Sequence, residues 1–172
     1  DRASEIAVAG NYAYVADRAS GLQVVKISSA GSYGIVGALD LPDWAWGVAV
    51  KNNFAYVLDR GSDLHVIDIS VSENPALIGT VGLPSSAHGL TVVGNYAYVA
   101  DHSSGLQVID ISVPEFPALV GGVDTPGVAG HVVIAGNYAY VTDGNSGLQV
   151  IDISAPESPA IVGTVMTPGF AA

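Results

Sequence analysis

The apolar positions of this chain gather in short runs of four to eight residues, each closed by Gly, Asn, Asp, Ser or Pro. Runs of that length with such breakers predict β-strands rather than helices. In the stretch 85–126 the first run, Leu90 to Val93, ends at Gly94-Asn95, a pair suited to a tight hairpin because both residues tolerate positive φ. The second, Tyr96 to Ala100, closes at Asp101, where Asp-x-x-Ser-Gly over 101–105 offers short side chains that bond turn amides. The third, Leu106 to Ile111, runs into Ser-x-Pro-x-x-Pro over 112–117, whose prolines lack the amide proton a ladder needs. The fourth, Ala118 to Val123, is closed by Pro126. Four strands joined by short turns make one antiparallel sheet. In Leu106 to Ile111 large aliphatics occupy both parities, so the sheet must be covered on both faces.

This pattern recurs with a fixed period. GNYAYVAD at 10–17 returns as NNFAYVLD at 52–59, GNYAYVAD at 94–101 and GNYAYVTD at 136–143, a spacing of 42 residues. The units are 1–42, 43–84, 85–126 and 127–168, and 169–172 starts a further repeat, with Ala171 in the column of Ala3, Ala45, Ala87 and Ala129. A period near 40 residues with strand content in each unit is the signature of propeller blades. The expected fold is all-β: a β-propeller of four-stranded antiparallel blades, four in this chain, forming a single array over 1–172. The recurring Tyr14, Tyr56, Tyr98 and Tyr140 are expected to pack between blades with their hydroxyls finding partners.

The sequence GNYAYVAD, then GLQVIDISVPEFPALVG at 105–121 and GLQVIDISAPESPAIVG at 147–163, closely resembles the LVIVD repeat, and the resemblance covers the whole chain. The first unit departs from it, with Lys26 in place of Asp68, Asp110 and Asp152, and with SAGSYG at 29–34 lacking both prolines. The resemblance implies a propeller in a bacterial or archaeal protein exported or held at the cell surface. It implies no general enzymatic activity.

Net charge is −11, from 16 acidic and five basic residues, which argues against nucleic acid or an anionic lipid surface as partner. No window of 18 uninterrupted apolar residues exists, so membrane insertion by a helix is not expected. The absence of Cys excludes disulfide and thiol chemistry. The chain starts at Asp1, from which a trimmed or mature product is expected.

Recurring residues report the blade, so candidate chemistry lies where the units differ. After the recurring Ala the units read Ser4-Glu5, Trp46-Gly47, His88-Gly89 and Gly130-His131, and Trp44 precedes it in the second unit. Strand order places these positions on one propeller face, near the channel mouth, with Arg18, Arg60 and His102 from the turns between second and third strands. Trp44, Trp46, His88, His131, Arg18, Arg60 and His102 are thus the ligand-binding candidates, rings for stacking and cations for carboxylate or sugar oxygens. The bland alternative is that they plug the channel or face another subunit. No metal site and no cofactor are expected: the spacing of His88 and His131 matches no ligand motif. A Ca²⁺ collar of Asp17, Asp59, Asp101 and Asp143 is weighed against turn bonding, which suffices. His65, in the column of Gln23, Gln107 and Gln149, is expected on a strand surface. No nucleophile elbow or differentiated carboxylate pair appears, so no catalytic residue is assigned.

The expected role is a non-enzymatic extracellular module, structural or adhesive, whose partners are proteins or glycans, including copies of itself. The alternative is a propeller that binds glycan or peptide, or catalyses, at the Trp/His face. Three closures are open: a four-bladed ring, two chains forming eight blades, or a piece of a longer array. Non-closing contacts would give a filament.

Overall fold

Each Gly-Asn pair, and Asn52-Asn53 in the second unit, reverses the chain within two residues and each Asp-led turn reverses it again, so every unit folds into a meander of neighbouring strands. In the computed structural model, which describes residues 2–27, 31 and 33–171, the first unit forms β1 (Glu5–Ala9), β2 (Tyr12–Ala16), β3 (Leu22–Ile27) and β4 (Tyr33–Leu39). The second forms β5 (Ala45–Lys51), β6 (Phe54–Asp59), β7 (Asp63–Asp68) and β8 (Ala76–Gly82). The third forms β9 (Gly89–Val93), β10 (Tyr96–Ala100), β11 (Leu106–Asp110) and β12 (Ala118–Val123). The fourth forms β13 (Ala129–Ala135), β14 (Tyr138–Asp143), β15 (Leu148–Asp152) and β16 (Ala160–Val165). These are four separate four-stranded antiparallel sheets, each pairing its strands in sequence order, which is the blade architecture of a β-propeller. Among the described residues no helix is long and apolar enough to cross a membrane.

The third strand of the third blade ends at Asp110, one residue before the apolar run stops. Ile111 instead donates its amide to Asn95 O across the hairpin, as Ile27, Ile69 and Ile153 do to Asn11, Asn53 and Asn137. Of each hairpin pair only the first residue takes positive φ: Gly10, Asn52, Gly94 and Gly136. The register between third and fourth strands slips in every blade, after Val24, Val66, Val108 and Val150. Half of SAGSYG, at 29, 30 and 32, lies outside the described residues, as does residue 28, so the first blade's outer turn is not described.

Contacts gather the chain into two units: residues 1–82 with 114–116, and 83–113 with 117–172. Within the first, Tyr14, Ala16, Leu22 and Val24 of blade one cover Ala55, Val57, Ile67 and Ile69 of blade two. Within the second, Tyr98, Ala100, Leu106 and Val108 of blade three cover Ala139, Val141, Ile151 and Ile153 of blade four. The two interfaces are the same interface, built from the same columns. Within each pair the first blade presents one strand parity and the second blade the other, which accounts for aliphatics in both parities. Tyr56 and Tyr98 are buried, and burial pushes both hydroxyls above the ordinary tyrosine range.

Candidate functional site

In the first unit the turn after β2 meets the segment entering β5. Arg18, at φ 43, exchanges two backbone hydrogen bonds with Ala45, of 3.1 and 2.9 Å. Arg60 N likewise donates to Trp44 O at 3.0 Å. These bonds align the side chains into a stack. The Arg18 guanidinium lies 5.2 Å from the Trp46 ring centre and 5.8 Å from that of Trp44, and Arg60 lies 5.3 Å from Trp44 on its own account. Arg18 Nε also donates to Ser4 Oγ at 3.4 Å. A guanidinium held over a ring still has N–H donors for carboxylate or sugar oxygens. Two of the five Lys and Arg residues of a chain of net charge −11 therefore stand at one aromatic cluster.

The second unit brings together His88, His102 and His131. His88 and His102 rings lie 5.8 Å apart, tilted by 33°. Ala129 N donates to His102 O at 2.9 Å, the same bridge as Arg18 to Ala45 one unit on. Gly89 abuts His131 so closely that a Cβ there would stand 2.7 Å from His131 Cα. The His131 amide donates to Thr142 Oγ1 at 2.9 Å, and its side chain is exposed. A cavity of about 300 Å³ is lined by His88, His102, Val128, Ala129, Gly130, Phe170 and Ala171. Burial, then the charges of His102 and His131, push the His88 imidazole below the ordinary histidine range. At neutral pH His88 is therefore a neutral donor or acceptor in a mostly apolar hollow.

Phe170 was not among the candidates. It reaches the cavity because Gly144 and Ala171 exchange two backbone hydrogen bonds of 2.9 Å, repeating the bridge of the earlier blades. Its ring then stands in the column of Trp44 and Val128. Trp44, Trp46, Arg18 and Arg60 meet in the first unit, and His88, His102 and His131 in the second; each cluster is complete within its own unit.

The Asp column behaves as a set of turn anchors. Asp143 Oδ1 accepts from Thr125 Oγ1 at 2.6 Å and Oδ2 from Gly127 N at 2.9 Å. Asp101 Oδ2 accepts from Ser85 N at 3.0 Å, while its Oδ1 has no partner. Burial of this carboxyl holds its pKa above the ordinary range, against the downward pull of the Ser85 amide and of His102. Asp68 and Asp152 accept from Ser70 N and Ser154 N at 2.8 Å, which holds both carboxyls below that range.

His65 corrects an expectation: it is not on a strand surface but buried, 1% exposed, with Nε2 2.9 Å from Asp59 Oδ2 and Nδ1 3.0 Å from Thr80 Oγ1. The other blades fill this column with Gln, whose amide donates to a turn carbonyl, that of Ser146 in the case of Gln149. The sequence held the signal in the paired change at Asp63 and His65.

The family model of the LVIVD repeat matches residues 2–40, 44–82, 84–125 and 126–167. No curated protein matches. The fold is similar to that of the computationally designed Ika8 protein, with TM-score 0.75 and 13% identity over 98% of this chain and 50% of that one. It is also similar to that of the computationally designed Ika4 protein, with TM-score 0.73 and 12% identity over 87% of this chain and 89% of that one. The chain thus spans half the length of Ika8, and at such identity the likeness concerns the fold alone. Four consecutive repeat matches, each coinciding with one four-stranded blade, mean that the chain belongs to the LVIVD repeat family.

Proposed function

We propose that this chain is a non-enzymatic repeat module that works by protein association, joining further copies of itself through the end faces of its blades, outside the cell or on its surface. One observation carries the association. The column set Tyr14, Ala16, Leu22 and Val24 is buried, as are Tyr56, Leu58, Leu64 and Val66, and Tyr98, Ala100, Leu106 and Val108, whereas Tyr140, Thr142, Leu148 and Val150 are only half-buried. Blade four therefore carries the same follower face as blades one and three, less covered. Blade one has the reciprocal surface: Val15, Val25 and Ile27 are half-buried where Val57, Ile67 and Ile69 are buried by blade one.

Close approach at the outer strand supports the same reading. A Cβ on Gly37 would stand 2.2 Å from Ser72 O of the next blade, and one on Gly121 2.3 Å from Pro156 O. Gly163 holds that column in blade four, yet a Cβ there would meet only Val150 of its own sheet, at 3.7 Å. The Phe170-Ala171 bridge to Gly144 already follows the geometry by which blade two joins blade one and blade four joins blade three. Half-covered leucine and valine faces gain about 25 cal/mol per Å² on burial, which drives such joining. The surface setting is supported by the family's usual location.

The test is the mass in solution over a range of concentrations, for the parent and for Leu148→Glu. Association that Leu148→Glu abolishes supports the reading; a 17.4 kDa monomer at every concentration refutes it. A second reading is favoured by the Arg–Trp stack and the His88 cavity: binding of a glycan or peptide. A glycan and peptide screen with Trp46→Ala and His88→Ala variants tests it, since retention lost in either variant without loss of association assigns a ligand to that cluster.

A further inference from the structure

We infer that Asp59, Asp63 and His65 form a binding site for a divalent first-row transition cation of the zinc class, at the turn between β6 and β7. Their ligand atoms all lie within 4.8 Å of one another. Asp59 and His65 are each 1% exposed, while Asp63 is half-buried and opens the group to solvent.

Two departures from the repeat create the group together. Asp63 stands in the column of Gly21, Gly105 and Gly147, and His65 in that of Gln23, Gln107 and Gln149. In the other blades the glycine takes positive φ and its carbonyl accepts from the Asp amide, as Gly105 O does from Asp101 N at 2.7 Å. In the second blade the positive φ moves to Ser62, at 71°, and Asp63 enters strand β7. Residues two apart on a strand share a face, so Asp63 and His65 stand side by side, with Asp59 at the end of the neighbouring strand.

A structural substitute for the Gln bond would need only the His65–Asp59 pair. The Asp63 amide already serves Asp59 Oδ1 at 2.9 Å, so the Asp63 carboxylate adds negative charge that closing the turn does not require. Asp43 adds more: the position of a Cβ on Gly61 lies 3.3 Å from Asp59 Oδ1 and 3.5 Å from Asp43 Oδ2. A cation relieves this concentration of carboxylates around a buried imidazole. One nitrogen and two carboxylate oxygens suit Zn²⁺ or Co²⁺ better than Ca²⁺ or Mg²⁺, which take oxygen sets. Thr80 fixes the ring through Nδ1 and leaves Nε2 toward the carboxylates, the second-sphere arrangement of metal-binding histidines. Binding exchanges the Nε2 hydrogen bond to Asp59 for the ion, with any proton on Nε2 released to solvent. An ion about 2.0–2.2 Å from each ligand needs the Asp63 carboxylate drawn in and the 2.9 Å pair of His65 Nε2 and Asp59 Oδ2 let slightly apart, changes that rotation of the two carboxylates supplies.

The test uses the whole chain after chelator treatment, with Zn²⁺ followed by calorimetry and Co²⁺ by visible absorption. One equivalent is expected to bind. His65→Gln and Asp63→Gly, which restore the residues of the other blades and so keep the fold, abolish uptake; Thr80→Val weakens it roughly tenfold. A His88→Ala/His102→Ala variant retains it. No saturable uptake by the folded parent, uptake undiminished in His65→Gln, uptake that follows His88 and His102, or preference for Ca²⁺ over Zn²⁺ overturns the inference.

Discussion

Thr125 Oγ1 donates to Asp143 Oδ1 at 2.6 Å inside the fourth blade's entry turn, and the bond ties the end of one repeat to the Asp anchor of the next. Both residues are buried, so the carboxylate depends on this hydroxyl rather than on water. Thr125→Val keeps the shape and removes the donor. It is expected to cost about 1–3 kcal/mol, the penalty for stranding a buried acceptor, read as a lower urea midpoint at unchanged slope.

One repeat earlier Leu83 stands in the column of Thr125, which is why Asp101 Oδ1 lacks a partner. Asp101 holds its proton to higher pH in the folded chain than in the unfolded one. Between those two pKa values the folded state binds more protons, so stability falls as pH rises through the window, and the loss is complete above the folded pKa. Asp101→Asn removes the titration. The variant is expected to gain on the parent as pH is raised from the ordinary carboxylate range toward neutrality, measured as the difference between their melting temperatures. A difference independent of pH would count against the burial account. Asp68 and Asp152 act in the opposite sense in both proteins and cancel from the difference.

The strands were legible because each apolar run carries its own breakers, and a 42-residue period states the same rule four times. Boundaries slipped where a backbone bond replaces a ladder bond, as at Ile111. The site was legible only as an inventory. Trp44, Trp46, Arg18 and Arg60 could be placed on one face by strand order, but the alternation of ring and guanidinium depends on the Arg18–Ala45 bridge, which pairs residues of successive repeats. His65 was misjudged because strand parity does not by itself say which face is covered: His65 shares the parity of Ile67 and Ile69, the face of the second blade that packs against the first. Phe170 was missed for a similar reason, since its place depends on the Gly144–Ala171 bridge rather than on its neighbours in sequence.

The chain's two tryptophans both stack on Arg18, so intrinsic tryptophan fluorescence reports on this cluster alone. Arg18→Ala is expected to change emission wavelength and raise acrylamide quenching while lowering stability by about 1 kcal/mol, the scale of exposed cation–π contacts. Arg18→Lys keeps charge but not the planar stacking group, and is expected to shift emission in the same direction by less. Unchanged spectra in both variants would mean that the stack does not persist in solution.

Two glycines with nearly the same φ separate conformational freedom from close approach. Gly94, at φ 56, has nothing within 4 Å of a Cβ position, and blade two places Asn52, at φ 54, in that column. Gly94→Asn is therefore expected to change stability by less than about 0.5 kcal/mol, because Asn tolerates the left-handed region and meets no neighbour. Gly105, at φ 68, presents a Cβ position 2.2 Å from Val123 O and 2.5 Å from Thr125 N. An added methyl there forces apart the turn that anchors Asp101, and Gly105→Ala is expected to cost more than about 2 kcal/mol, the left-handed strain for Ala compounded by the clash. The comparison is made by chemical denaturation of the two variants. Equal losses would mean that the backbone conformation alone, and not the packing of the following turn, governs both positions.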